Sequence, residues 1–243
     1  MNDKVTYKCK KYFTFRKVSK VIKKSIFNFK YLLFIIGYSM ILLISRIDLI
    51  KNINVSLTIR VSLYMILGVS SFIIYKDLYK EGIEEWKKSV TKTVIIILLM
   101  YILKTILTIV SSIPLEIFFP EYESVNSNSI VEAIQMFPAP IVLLALGILG
   151  PIVEEIVFRG ILVGKFKEYI PSTICVIVSS ILFMFIHIHV LSIQELLYCL
   201  SYFVGGMLYS ILYLKTKNLT IPMILHIINN FFSLLLLIIS IRY

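Results

Sequence analysis

Long uncharged blocks dominate this chain. Seven stretches, at residues 31–50, 53–75, 93–113, 133–163, 173–190, 195–214 and 220–241, are built almost wholly from apolar side chains. A helix needs about 20 such residues to cross about 30 Å of hydrocarbon. The pattern predicts an all-α, polytopic transmembrane helix bundle of seven or eight membrane helices. Composition agrees: 58% of the 243 residues are hydrophobic and 16% charged, where a soluble domain carries about a quarter charged residues. Mean hydropathy is +0.90. The count stays open because block 133–163 is too long for a simple span and holds Pro138, Pro140 and Gly150-Pro151. Proline cannot continue the helical ladder but suits a first turn, so a break at Gly150-Pro151 is expected to start a fresh segment.

The net charge of +11 is spread unevenly, with ten of the 25 Lys and Arg in the first 30 residues. Because this run leads directly into a span, it reads as a cytoplasmic anchor for anionic lipid, with no nucleic-acid partner expected. Residues 1–30 lack the apolar core of a cleavable signal peptide. Three regions follow: the arm at 1–30, membrane helices without a signature at 31–130, and a C-terminal core at 131–243. Basic residues recur at 76–92, at Lys165 and Lys167, and at Lys215 and Lys217, while the connections 114–130 and 191–194 have none. This asymmetry predicts a cytoplasmic N-terminus. The polar run 124–129 reads as an exposed loop. Cys9, Cys175 and Cys199 have neither metal spacing nor a pairing pattern. There is no phosphate-binding GxxxxGK[ST] loop and no defensible internal repeat.

Against this background the run Pro151-Ile-Val-Glu154-Glu155-Ile-Val-Phe-Arg159-Gly160 stands out. An ionised group at mid-membrane costs roughly 2.5–3.5 kcal/mol on insertion scales, so it normally faces a cavity or a partner. Glu155 and Arg159, four residues apart, share a helix face in the order that favours an ion pair. Glu154 is rotated by about 100° and cannot join it. Two further polar positions interrupt later spans. Phe183 and His187 share one face, and His226 shares another with Asn230, Asn229 being nearly aligned. His189, turned about 200° from His187, reads as a packing partner. A carboxylate, two imidazoles and a carboxamide can activate water, bind a metal and stabilise an oxyanion. By helical rise Glu154 lies about 16 Å in from Lys165 and His226 about 13 Å in from Lys217, whereas His187 lies about 24 Å from Pro171.

These residues resemble the signatures of the CPBP family of intramembrane proteases, also called the Abi or CAAX-protease family: EExxxR at Glu154–Arg159, FxxxH at Phe183–His187 and HxxxN at His226–Asn230, in the family's order. The likeness covers roughly residues 138–237. It implies a helix bundle with a buried polar cavity, a membrane endopeptidase acting on a membrane-associated peptide or protein in a bacterial plasma membrane. CAAX-type processing and bacteriocin maturation or self-immunity are the roles known for relatives. By the same likeness Glu154 and His187 would position and activate water. His226 and Asn230 would face the carbonyl oxygen of the tetrahedral intermediate, while Glu155, Arg159 and Phe183 support the site. The family is often called metalloprotease, and Glu154, His187 and His226 would then hold a divalent metal, Zn²⁺ first among candidates. No HExxH is present, so a metal-free glutamate mechanism remains an alternative. Two other functions stay open: a non-proteolytic bacteriocin-immunity protein, and a proton-coupled transporter built on intramembrane Glu and His.

Overall fold

The computed structural model describes residues 29–46 and 52–242. All but the last two residues of the basic arm therefore lie outside the described residues. Among the described residues nine helices follow one another: α1 (Phe29–Arg46), α2 (Ile53–Ile74), α3 (Lys76–Lys88), α4 (Val90–Phe118), α5 (Val125–Met136), α6 (Ala139–Glu168), α7 (Ser172–Phe185), α8 (Ile193–Thr216) and α9 (Thr220–Arg242). No strand occurs among them. Five helices, α2, α4, α6, α8 and α9, are long and apolar enough to cross a membrane, and these make the chain an integral membrane protein. The apolar part of α1 (Phe29–Ile44) and α7 are shorter. At 14 residues, α7 covers about 21 Å of a core about 30 Å thick.

The long block 133–163 divides at a different proline from the one expected. Phe137 is extended (φ −110°, ψ 152°) and ends α5, and Pro138 caps α6 with Pro140 in its first turn. A proline ring pushes the preceding residue out of helical conformation by colliding with its Cβ. At position 150 the preceding residue is glycine, so that Cβ collision is absent, and Gly150 stays helical (φ −56°, ψ −58°). The backbone also widens just before Pro151, where the Gly150 N–H donates to the Ala145 carbonyl five residues back. A second wide turn closes with Gly164 N–H to the Arg159 carbonyl at 2.8 Å. Such π-type turns let a helix absorb an extra residue without ending, and they concentrate at functional sites. Helix α6 thus runs unbroken through the acidic pair.

Two connections are more ordered than expected. Ser124 opens α5 rather than a loop; its side chain is buried and its Oγ accepts from the Ser127 N–H at 3.4 Å. The basic stretch at 76–92 forms the amphipathic helix α3 and the first turn of α4. Asn218, in the turn after α8, fastens α3 by donating from Nδ2 to the Gly82 carbonyl at 3.0 Å. Its Oδ1 accepts from Thr220 N–H at 3.0 Å and Thr220 Oγ at 2.7 Å, which starts α9.

Helix α6 is the centre of the bundle. Of its most apolar stretch 72% of residues are buried, against 6% for α4 at the periphery. It packs on α2, α7 and α9, while α8 lies against α7 and α4. Without a hydrophobic driving force between helices in lipid, close approach depends on small residues. Gly206 of α8 supplies this: a Cβ there would sit 3.1 Å from the Ser180 Cα of α7. At neighbouring Gly205 the nearest atom would be Tyr209 Cε2, at 4.0 Å. Gly206→Val is expected to lose about 1–3 kcal/mol by overpacking, seen as a lowered unfolding temperature in detergent, while Gly205→Ala stays close to the parent.

Candidate active site

Three helices bring the expected polar residues to one place. Glu154, Glu155 and Arg159 project from the middle of α6, Phe183 and His187 lie at and just beyond the end of α7, and His226, Asn229 and Asn230 come from the first half of α9. A cavity of about 420 Å³ is bordered by Glu154, His187, His226 and Asn230 together. Glu155 and Arg159 lie behind its wall, both fully buried.

The ion pair read from the helix period is present. Arg159 Nη1 donates to Glu155 Oε1 at 2.8 Å, with both side chains sealed from solvent. Desolvating two charges costs several kcal/mol each, and their mutual attraction offsets this only when further partners are present. Arg159 has them: Nη2 donates to the Gly206 carbonyl at 3.2 Å, and the guanidinium sits 4.5 Å from the centre of the Phe183 ring. The residue that must be glycine to meet α7 thus also lends its carbonyl to the arginine.

Glu155 does more than neutralise Arg159. Its Oε1 also meets His226 Nδ1 at 3.0 Å, from a residue 71 positions away. A carboxylate held by an arginine can only accept, so Nδ1 carries the proton and Nε2 becomes the variable side of the ring. That nitrogen faces Glu154, with Oε2 3.7 Å away. Tyr209 stacks on the imidazole with centroids 4.9 Å apart, and Phe183 meets it edge-on at 5.7 Å. The orientation of His226 is fixed on every side.

His187 is held by analogous logic. Its Nδ1 bonds the Phe183 carbonyl at 2.8 Å, and a carbonyl can only accept, so Nε2 is the basic nitrogen of the neutral ring. Tyr202 of α8 stacks on it at 3.8 Å and 12°. The Phe183 ring lies 5.1 Å from that of His187 and 5.7 Å from that of His226. One aromatic side chain thus touches both imidazoles and the guanidinium. His189, expected only to pack between helices, also borders the cavity.

Among the described residues no group of three His, Cys, Asp or Glu side chains stands close enough together to hold a cation. Glu154 and His226 are brought together, but the trio with His187 expected to ligate zinc is not gathered round one point.

Several site residues carry no motif. Tyr64 of α2 donates to Glu154 Oε1 at 3.4 Å, and Tyr38 of α1 borders the same cavity, so the helices without a signature help to build it. Lys104, in the middle of α4, donates to Asn229 Oδ1 at 2.6 Å. A lysine deep in an apolar span is itself a signal, and it could have been read. The tyrosines offered none, since tyrosine is common in this chain's apolar blocks. Arg159→Met alone is expected to cost about 3–5 kcal/mol by stranding the Glu155 charge, and Glu155→Met/Arg159→Met to recover most of that loss. Unfolding in detergent measures both.

Comparison with known proteins falls on this same region. Residues 136–232 match the family described as Rce1-like, type II CAAX prenyl endopeptidase Rce1-like. The chain is 30% identical over 128 residues to a putative membrane peptidase, YdiL, of Bacillus subtilis (strain 168), covering 53% of this chain and 49% of that one. It is 28% identical over 130 residues to the membrane-embedded CAAX protease MroQ of Staphylococcus aureus (strain USA300), covering 51% and 49%. The match thus spans about half the length of either relative. No solved structure gives a significant match. The resemblance drawn from the three short motifs is borne out, and all three lie inside the matched segment.

Proposed function

We propose, from the kinship of residues 136–232 with the Rce1-like CAAX proteases and from the geometry around Glu154, that this membrane protein is an endopeptidase. Its substrate is a membrane-associated peptide or protein, and the reaction is hydrolysis by water activated at Glu154. The observation that carries the reading is the division of labour between adjacent carboxylates. Glu155 is consumed by Arg159 and His226, while Glu154 borders the cavity beside the Tyr64 and Tyr38 hydroxyls and a histidine nitrogen at 3.7 Å.

In this mechanism water sits beside Glu154 and His187. Glu154 takes a proton as the water oxygen attacks the scissile carbonyl carbon. The negative charge that develops on the carbonyl oxygen meets the Asn230 amide, with His226 Nε2 as a second donor when it carries a proton. Glu154 then delivers its proton to the amide nitrogen as the C–N bond breaks, leaving a carboxylic acid and an amine. The low-dielectric surroundings strengthen each of these contacts. A cation held by Glu154, His187 and His226 would need a third donor drawn in, so no step here passes through a metal. CAAX-type processing is the activity class that the relatives' names suggest. An immunity protein acting by binding alone would have no need of a glutamate kept beside an oriented histidine.

Glu154→Gln, which keeps the shape of the side chain, is expected to lower cleavage about 10²–10⁴-fold in proteoliposomes without changing insertion or thermal stability. Full activity in that variant would remove the reading. Treatment with 1,10-phenanthroline is expected to leave the rate within about twofold, in line with a mechanism that needs no Lewis acid. Loss of activity restored by added Zn²⁺ would replace the glutamate mechanism with a metal-dependent one.

A further inference from the structure

Lys104 is used by none of the three motifs, yet it enters the cavity from α4 and ends on α9. We propose that Lys104 is a positioning residue that sets the orientation of the Asn229 and Asn230 amides, so that Asn230 presents its N–H donors to the reacting carbonyl. The proposal rests on the peptidase reading and adds to it a residue from the region without a signature.

The basis is the chemistry of two amides in series. A carboxamide can turn over, exchanging an acceptor oxygen for a donor nitrogen at nearly the same cost in shape. An oxyanion site tolerates one orientation only, since a carbonyl aimed at a developing negative charge repels it. Asn230 alone has nothing in its own motif to choose. An ammonium group has three donors and no acceptor. Lys104 Nζ at 2.6 Å therefore requires the oxygen of Asn229 on its side. That turns Asn229 Nδ2 towards Asn230, where it donates to Oδ1 at 3.1 Å. With its oxygen engaged, Asn230 has its Nδ2 hydrogens left to offer, and the residue borders the cavity. Each link forces the next. The chain of bonds also extends the lysine charge towards the carbonyl oxygen through two aligned dipoles, which hydrogen bonding in series strengthens.

The placement of Lys104 agrees with such a role. An ammonium in the middle of a membrane helix is costly unless it meets a partner or a polar cavity. Here the partner is a single amide oxygen rather than a carboxylate, so the positive charge is left unneutralised by this bond. Without it, Asn229 and Asn230 could invert together, keeping their mutual hydrogen bond but aiming oxygen at the substrate.

The test uses the full chain in proteoliposomes and a quenched-fluorescent, farnesylated CAAX-type peptide. Lys104→Met is expected to lower kcat by about 10–100-fold, less than the loss of a whole oxyanion donor, with KM within about twofold. Lys104→Arg, which also only donates, recovers most of the rate. Asn229→Leu gives the same defect, the double variant is no worse than either, and Lys104→Met costs nothing further in an Asn230→Ala background. In resting protein labelled with ¹⁵N-asparagine in micelles, Lys104→Met moves the side-chain amide signals of both asparagines. Wild-type kcat in Lys104→Met, or additive losses with Asn230→Ala, would overturn the relay while leaving the peptidase reading intact. Cleavage at the wild-type rate by both Glu154→Gln and Asn230→Ala would instead remove the glutamate mechanism on which the relay rests.

Discussion

One carboxylate oxygen organises the centre of this protein. Glu155 Oε1 receives Arg159 Nη1 from its own helix and His226 Nδ1 from a helix far along the chain. The first bond makes a buried negative charge tolerable, and the second uses that charge to fix an imidazole. Because Arg159 in turn reaches the Gly206 carbonyl, three helices meet at a single polar joint: α6, α8 and α9. In a bilayer, where apolar packing between helices carries little preference over lipid, such a joint specifies which helices associate and in what register. Burying the pair costs free energy that well-packed apolar residues would not, so its retention is better explained by what it orients than by stability.

Around the joint, aromatic rings do the positioning that hydrogen bonds leave undone. Phe183 touches Arg159, His187 and His226, Tyr209 covers His226, and Tyr202 covers His187. Each imidazole has one nitrogen tied to an acceptor and one flat face covered by a ring. The rotational freedom of both rings is thereby restricted, as the proposed chemistry requires. Glu154 and Asn230 border the same cavity, as do Tyr38 and Tyr64 from the N-terminal helices.

How much of this could be read beforehand depends on how local the physics is. The Glu155–Arg159 pair follows from the helical repeat alone, and it appears as expected. The prolines show the limit. Pro138 follows a residue with a Cβ and ends a helix, whereas Pro151 follows glycine and is carried through a widened turn. Both facts are present in the sequence, because the residue before each proline decides the outcome. Helix α3 carries too many charges to be a span, and its alternation of charged and apolar residues is that of an amphipathic helix. Lys104 was legible as an intramembrane cation, but its partner was not. Helical rise alone puts His187 about 24 Å from Pro171; α7 ends at Phe185, and the turn beyond it sets the ring on Tyr202.

The sequence by itself determined that the chain lives in a membrane as helices, which of two adjacent carboxylates pairs within its own turn, and which short motifs carry the resemblance. Those properties depend on composition and on spacings of three or four residues. Only the tertiary structure decided that His226 belongs to Glu155, that tyrosines from the first two helices border the cavity, and that Lys104 meets Asn229. Contacts between residues tens of positions apart have no period along a chain. They are fixed by which helix faces pack together.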